Sequence, residues 1–151
     1  MKPNPHIAAA ATLVAFAMMG AVPITSAATE TAYWDGNDTD ANANGGDGTW
    51  GGATTNWDDA ATGGSDIAWD GDASGDDTAV FGGTAGTVTV SGPIDLNTLS
   101  FSNLSSTNKY TIDGGTLNFG GGGSIKPNFT NQGNFTDFGF ITSAITGSPN
   151  I

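Results

Sequence analysis

The chain has 151 residues, 24 of them glycine, and 15 acidic residues against three lysines and no arginine give it a formal charge of −12. It has no cysteine, and this excludes a disulfide framework, a cysteine-based zinc site and a thiol nucleophile. Its single histidine is His6. An acidic chain without arginine is also poorly suited to nucleic acid phosphates, so no nucleic acid partner is expected. These counts allow one domain and favour a protein that is not an enzyme.

Residues 1–28 have the layout of a secretory signal peptide. Lys2 supplies a positive start, an apolar run covers residues 7–22, and small residues at 25–28 offer a cleavage site. The apolar run is short for a membrane-spanning helix, and no second such run follows. We expect residues 1–28 to be removed together with His6. The mature chain would then have no transmembrane helix and no imidazole for a Ser-His-Asp triad.

Residues 29–77 are rich in Asp, Gly, Asn and Trp, and we predict that they form a cap region. All four tryptophans of the chain lie in this stretch: Trp34, Trp50, Trp57 and Trp69. The stretch has few other large apolar side chains, so these rings are expected to form its core. The alternative is that the four rings are exposed and bind ligand, as in a small extracellular carbohydrate-binding module. Solvent exposure of the rings distinguishes the two hypotheses.

Two segments of the same stretch match the opening of a calcium-binding loop, in which alternate residues direct oxygens inward. The candidate ligands are Asp40, Asn42 and Asn44 in the first segment and Asp70, Asp72 and Ser74 in the second. The twelfth position of such a loop is a bidentate Glu, whereas the two segments have Gly51 and Phe81 there. Solvated turns, in which Asp and Asn bond their own backbone, explain the same spacing. Calcium is the one cofactor that the sequence suggests.

Adjacent acids at residues 58–59 and 76–77 do not indicate catalysis. Glycoside hydrolysis needs two carboxyls held across a substrate cleft, and neighbouring side chains on a strand point to opposite faces. We therefore predict no catalytic residues.

Residues 78–125 carry the strand patterns, because polar and apolar residues alternate there in four short runs. The in-facing pairs are Val88 and Val90, Leu99 and Phe101, Tyr110 and Ile112, and Leu117 and Phe119. Turn signals rich in Gly, Ser and Asn separate the runs, and no helical periodicity occurs in the mature chain. The predicted class is all-β. Periodicity alone leaves a parallel β-helix (a solenoid) and a small antiparallel β-sandwich both open.

Residues 126–151 are rich in Phe, Asn and Thr and contain no closing signal. A short stack of coils without a terminal cap is unprotected at its end. We expect this segment to be poorly ordered, with a strand edge open to pairing with another chain.

Several motifs occur in a suggestive order along the chain. They are W…NW at 50–57, DTAVFGG at 77–83, TAGTVTV at 84–90, YTIDGGTL at 110–117 and ITSAITGS at 141–148. In this order they resemble the start of the passenger region of autotransporter-associated β-strand repeat proteins, and the resemblance covers residues 33–148. It implies a right-handed parallel β-helix that is exported and displayed at the cell surface of a Gram-negative-type bacterium, or released from it.

The resemblance carries no shared catalytic residues for this region, so it implies a structural or adhesive passenger. The implied partners are surface glycans or the surfaces of host or neighbouring cells. Members of the family continue into many repeats and then an outer-membrane barrel or a sorting tail. The repeat expected after residue 148 is not in the sequence, which suggests either a truncated gene product or a secreted stub. The expected location is extracellular, or periplasmic if passage across the outer membrane needs the missing part.

Overall fold

The computed structural model describes residues 30–70, 76–105, 107–129 and 140–151. Within these ranges the chain contains nine strands and no helix, which confirms the all-β prediction. The strands are β1 (Thr31–Trp34), β2 (Gly48–Trp50), β3 (Trp57–Asp58), β4 (Asp66–Ile67), β5 (Thr78–Phe81), β6 (Thr87–Leu104), β7 (Thr111–Phe129), β8 (Phe140–Ile141) and β9 (Ala144–Thr146). The predicted signal peptide, residues 1–28, lies outside the described residues.

The strands form one mixed, open sheet. Its order is β4-β3-β1-β5-β6-β7-β8, with β2 paired to β6 and β9 paired to β7. The two pairs β1–β3 and β3–β4 are antiparallel. All other pairs between the nine strands are parallel. The antiparallel pairs are therefore confined to strands between residues 31 and 67, and the later strands run parallel to their neighbours.

Strands β6 and β7 form the longest pairing, and its register places apolar residues beside apolar residues. The in-facing partners are Val88 and Ile112, Ile94 and Leu117, Leu96 and Phe119, and Leu99 and Ile125. The sequence analysis assigned four pairs of side chains to the inner face, and all eight are buried, because one face of each strand is turned toward the core. They are Val88 and Val90, Leu99 and Phe101, Tyr110 and Ile112, and Leu117 and Phe119. The strand faces were thus predicted correctly from the sequence.

The strand ends were predicted less well. Three of the four turn signals, at residues 91–93, 113–115 and 120–123, lie inside β6 and β7 rather than between strands. Gly92 and Gly114 have φ angles of 92° and 83°, a conformation that glycine adopts without steric cost. The pairing shifts register at this level, between Val90 and Pro93, and then continues. Such irregularities bend a strand without ending it, so both strands pass through the predicted turns as bulged bends.

The last described part of the chain adds to the same sheet. β8 pairs with the start of β7, β9 pairs with its middle, and Asn150 forms a parallel bridge with Ser124. Phe140 and Ile145 at this edge are exposed. Residues 130–139 lie outside the described residues, and the expected poor order of residues 126–151 stays a prediction.

Candidate functional site

The four tryptophans lie together in the interior. Each has at most 2% of its surface exposed. Trp57 is the central ring, with centroids 5.0 Å from Trp34, 5.0 Å from Trp50 and 5.1 Å from Trp69. These distances are typical of packed aromatic pairs. No ring presents a face to solvent, so the structure gives no support to the carbohydrate-binding alternative.

Strand pairing explains why these rings meet. Trp34 at the end of β1 is the cross-strand partner of Trp57 on β3, and Trp50 ends β2. Phe81 at the end of β5 packs against all three, with centroids 5.5 Å, 5.6 Å and 5.3 Å from Trp34, Trp50 and Trp57. The Trp34 Nε1–H donates to the Gly46 carbonyl at 2.9 Å. The aromatic cluster therefore joins the antiparallel strands to the first parallel one.

Three carboxylates converge next to this aromatic cluster, and sequence motifs did not single them out. Asp35 follows β1, Asp58 ends β3 and Asp66 begins β4. One carboxylate oxygen from each lies within 4.8 Å of the others. Asp58 and Asp66 are direct cross-strand partners. In the antiparallel pair β1–β3, Asp58 lies opposite Tyr33 and Asp35 lies beside Asn56, so the two acids are diagonal neighbours on the face away from the indoles. Asp35, Asp58 and Asp66 are called the aspartate triad below.

Two members of the aspartate triad are almost completely buried. Asp35 has 1% and Asp58 0% of its surface exposed, whereas Asp66 is exposed. The Asp35 Oδ1 accepts a hydrogen bond from the Asn44 backbone N–H at 2.9 Å. The other oxygen of Asp35 and both oxygens of Asp58 are buried without a hydrogen-bond partner. A buried carboxylate left without partners is strongly unfavourable in its charged form.

The electrostatics of the aspartate triad follow from this burial. Burial is the largest cause that raises the pKa of Asp58, and with repulsion from the Asp35, Asp66 and Asp59 carboxylates and a hydrogen bond with Asp66 it brings the value to about 6. Burial likewise raises the pKa of Asp35, although the hydrogen bond from Asn44 opposes the rise. The site thus favours a bound proton or another positive charge.

In the part of the chain that the structure describes, no lysine belongs to the strands that carry the aspartate triad. The two lysines of this part are Lys126 on β7 and Lys109 shortly before that strand, and β5 and β6 separate β1 from β7 in the sheet order. The sequence has no arginine. A mobile cation or a proton is therefore the natural means of neutralising the aspartate triad.

The first of the two predicted calcium segments forms a compact, exposed turn. Asp40 Oδ1 accepts the Asn42 backbone N–H at 2.7 Å, and Asp40 Oδ2 accepts the Asn44 side-chain amide at 3.0 Å. This is the pattern of an Asp that bonds its own neighbouring backbone. In the second segment Asp70 is exposed, and the two other predicted ligands, Asp72 and Ser74, lie outside the described residues. Calcium binding by these segments stays a prediction.

Sequence comparison supplies the remaining evidence. Over 148 residues the chain is 32% identical to the adhesin BmaC autotransporter of Brucella suis biovar 1 (strain 1330). The chain is thus similar to a short segment of an autotransporter adhesin. The similarity covers 95% of this chain and spans 4% of the relative's length. This similarity supports the autotransporter part of the resemblance, and the narrower assignment to the β-strand repeat proteins stays a prediction.

The other comparisons are negative. No protein-family model matches the chain, and no solved structure matches it. Among the described residues, no helix is long and apolar enough to cross a membrane.

Proposed function

We propose that the chain is a non-catalytic segment of an exported passenger, which presents a structural or adhesive surface outside a Gram-negative-type bacterium. The observation that carries this proposal is the similarity to an autotransporter adhesin over 95% of the chain. The word adhesin in the relative's name describes a protein of which this chain spans 4% of the length. We extend the adhesive role to this chain as part of the proposal. Glycans and the surfaces of host or neighbouring cells are the proposed partners.

We further infer that the passenger segment is a parallel β-solenoid. Equivalent inner positions recur on successive passes of the chain, as in Ala79, Leu99 and Ile125 or in Val88, Ile112 and Ile141. A stack of coils produces such parallel ladders, because each pass lies one coil above the last. An antiparallel sandwich joins neighbouring strands in opposite directions. In the described strands that arrangement is limited to β1, β3 and β4.

The proposal assigns the antiparallel part, with its tryptophans, to an N-terminal cap of the solenoid. A solenoid needs a terminal unit that covers the apolar end of the stack. The buried rings of Trp34, Trp50 and Trp57 lie against Phe81 of the first parallel strand, which is the position that a cap requires. We propose residues 29–77 as the cap and residues from 78 onward as the coils, with β1 and β2 of the cap pairing in parallel with β5 and β6 of the coils.

Export is tested with an antibody raised against the full chain. The antibody should label intact cells of the bacterium that encodes the chain, and protease added outside the cells should remove the label. Antigen that becomes accessible only after lysis, in the cytoplasmic fraction, would contradict export. Antigen released by opening the outer membrane alone would place the chain in the periplasm.

Adhesion is tested separately, since a passenger may be exported without being adhesive itself. Beads coated with the folded full chain should be retained on cultured cell layers several-fold more than beads coated with the heat-unfolded chain. The unfolded chain is a matched control because it has the same composition and the same charge of −12. Equal retention would remove the adhesive half of the proposal and leave the structural half.

A further inference from the structure

We propose that the aspartate triad, Asp35, Asp58 and Asp66, binds a divalent cation, best matched by calcium, that ties the end of β1 to β3 and β4. This inference concerns a site that the sequence motifs did not identify, and it does not depend on the proposed adhesive function. It differs from the predicted loop at Asp40, whose side chain is bonded within its own turn.

The separation of the carboxylates suits one shared ion. One oxygen from each residue lies within 4.8 Å of the others. Calcium binds oxygen at about 2.3–2.6 Å, so two ligands of one ion are at most about 4.6–5.2 Å apart. The three oxygens are therefore close enough to one another to share a single calcium ion after small side-chain adjustments.

A second, independent observation points to a ligand at this place. Both oxygens of Asp58 and one oxygen of Asp35 are buried without a hydrogen-bond partner. Buried polar atoms normally have partners, and an orphaned group calls for an explanation such as an ion. The Asp66 carboxylate can hydrogen-bond to Asp58 only when one of the two carries a proton. With both charged, the Asp58 oxygens have no donor in the protein and are open to a cation.

The chemistry of the donors narrows the class of ion. Three carboxylates form a hard oxygen site, which suits calcium, magnesium or manganese rather than metals that prefer nitrogen and sulfur. Asp66 is exposed, so water has access to complete the coordination shell. Calcium tolerates an irregular shell of six to eight oxygens, whereas magnesium demands near-octahedral geometry at about 2.0–2.1 Å. A site assembled from three separate backbone segments favours the more tolerant ion.

The structure of the neighbouring segment supports a fixed site. The Asn44 backbone N–H holds one Asp35 oxygen at 2.9 Å, and the Asp35 N–H donates to the Asn56 carbonyl at 3.1 Å. Asp58 and Asp66 are held opposite one another by the β3–β4 pairing. All three ligands are thus positioned by backbone contacts before an ion binds, which lowers the cost of ordering them on binding.

Thermal unfolding of the full chain tests the proposal. The midpoint is measured in chelator and then at calcium concentrations from about 10⁻⁵ to 10⁻² M, a range that includes the affinities of extracellular calcium modules. Ionic strength is held constant with sodium chloride, because any salt screens a chain with a charge of −12. The wild-type midpoint should rise with the logarithm of calcium once the ion exceeds its Kd.

Single substitutions locate the effect. Asp58→Asn should raise the midpoint in chelator, since it removes an unpartnered buried charge, and should abolish the calcium shift. Asp66→Asn, at an exposed position, should fold normally and should reduce the shift. Asp59→Asn is the matched control, because it makes the same charge change next to Asp58 at an exposed residue. Its calcium shift should equal that of the wild type.

Three results would overturn the proposal. The first is a wild-type midpoint that calcium does not move at constant ionic strength. The second is an equal shift in wild type, Asp58→Asn and Asp59→Asn, which would indicate general screening. The third is loss of the shift in Asp40→Asn with retention in Asp58→Asn, which would place calcium in the predicted loop instead.

A spectroscopic readout complements the melting experiment. Terbium binds in calcium sites and emits when a nearby indole is excited, and Trp34 and Trp57 directly precede Asp35 and Asp58. Terbium emission excited through tryptophan should appear in wild type and Asp59→Asn, and added calcium should displace it. Emission of equal intensity from Asp58→Asn would contradict the assignment.

Discussion

Phe81 and Phe101 stack with ring centroids 5.6 Å apart and planes inclined by 28°, at paired positions of the parallel strands β5 and β6. Phe81 also contacts the Trp57 ring at 5.3 Å and the Tyr110 ring at 5.2 Å. The tryptophan cluster and the parallel strands therefore share one continuous core. Phe81 is the residue through which the antiparallel and parallel parts of the sheet are packed together.

Replacing Phe81 by alanine should remove this connection. We expect Phe81→Ala to lower the free energy of unfolding by about 3–5 kcal/mol, the usual cost of deleting a buried phenylalanine ring. Phe81→Leu retains part of the side-chain volume, so it should destabilise the protein less and should stay folded. It is the variant to measure if Phe81→Ala does not fold. Urea denaturation followed by tryptophan fluorescence measures both.

The matched control is Phe140→Ala, because 64% of the Phe140 surface is exposed. Its effect should be within about 0.5 kcal/mol, as is usual for surface substitutions. Similar losses for Phe81→Ala and Phe140→Ala would show that the Phe81 ring does not occupy the core position described for it.

The register of β6 and β7 can be tested by cross-linking. Ser100 and Lys126 are paired positions of these parallel strands, and neighbouring strands lie about 4.8 Å apart, within the Cα separation of disulfides. The double variant Ser100→Cys/Lys126→Cys should therefore form a disulfide under mild oxidation. Mass spectrometry of the intact chain detects it, and the chain has no native cysteine to interfere.

The control pair is Ser100→Cys/Asn118→Cys. Asn118 lies on the same strand as Lys126 but is paired with Asp95, so a disulfide with position 100 should not form in the monomer. Equal oxidation of the two double variants would contradict the parallel register and would favour the antiparallel sandwich hypothesis instead.

The sequence predicted the strand faces well because alternation is a local property of the chain. Val88, Ile112 and Leu117 are buried as the period of two requires. The direction of neighbouring strands could not be read in this way, since parallel and antiparallel strands alternate identically. Glycine turn signals were also ambiguous, because a positive φ at Gly92 serves a bulged bend as readily as a turn.

The aspartate triad was beyond the reach of motif spacing. Its residues are far apart in the sequence and meet only through the pairing of β1 with β3 and of β3 with β4. One local signal was present: the dipeptide Trp-Asp occurs at 34–35 and at 57–58. Because Trp34 and Trp57 are partners in an antiparallel pair, the acid after each buried indole lies on the opposite face of the sheet, and the two acids are diagonal neighbours there.

The Tyr110 hydroxyl should stabilise the entry into β7. It lies within hydrogen-bond distance of the Gly82 and Thr84 carbonyls, and burial raises the pKa of its phenol. Tyr110→Phe removes the donor and leaves the ring, so the free energy of unfolding should fall by about 0.5–1.5 kcal/mol. Urea denaturation measures the loss. A variant as stable as the wild type would show that the hydroxyl bonds contribute nothing.

The stability of the chelated protein should depend on pH through Asp58. Its pKa is raised from the ordinary 3.8 to about 6 in the folded state, by burial first and then by the neighbouring Asp35, Asp66 and Asp59 carboxylates. The folded state thus binds this proton more tightly than the unfolded state does. Protonation of Asp58 therefore stabilises the folded state fully below the unfolded-state pKa of 3.8, and this stabilisation is lost as pH rises through the folded-state pKa of about 6. The thermal midpoint in chelator should therefore fall as pH rises from about 4 to about 6 and should level off above that.

Asp58→Asn should flatten this part of the pH profile, because the amide does not titrate. The raised pKa of Asp35 acts in the same direction, so a smaller slope should remain in the variant. The lowered pKa of Asp113 acts in the opposite direction, since hydrogen bonds from Thr142 and Gly114 favour its charged form and are lost in acid. Asp59→Asn is again the control and should keep most of the wild-type slope. Burial and repulsion at the Asp58 carboxyl are the physical cause of the expected fall of the midpoint with pH. A pH profile for Asp58→Asn as steep as that of the wild type would therefore show that Asp58 is not the group that titrates.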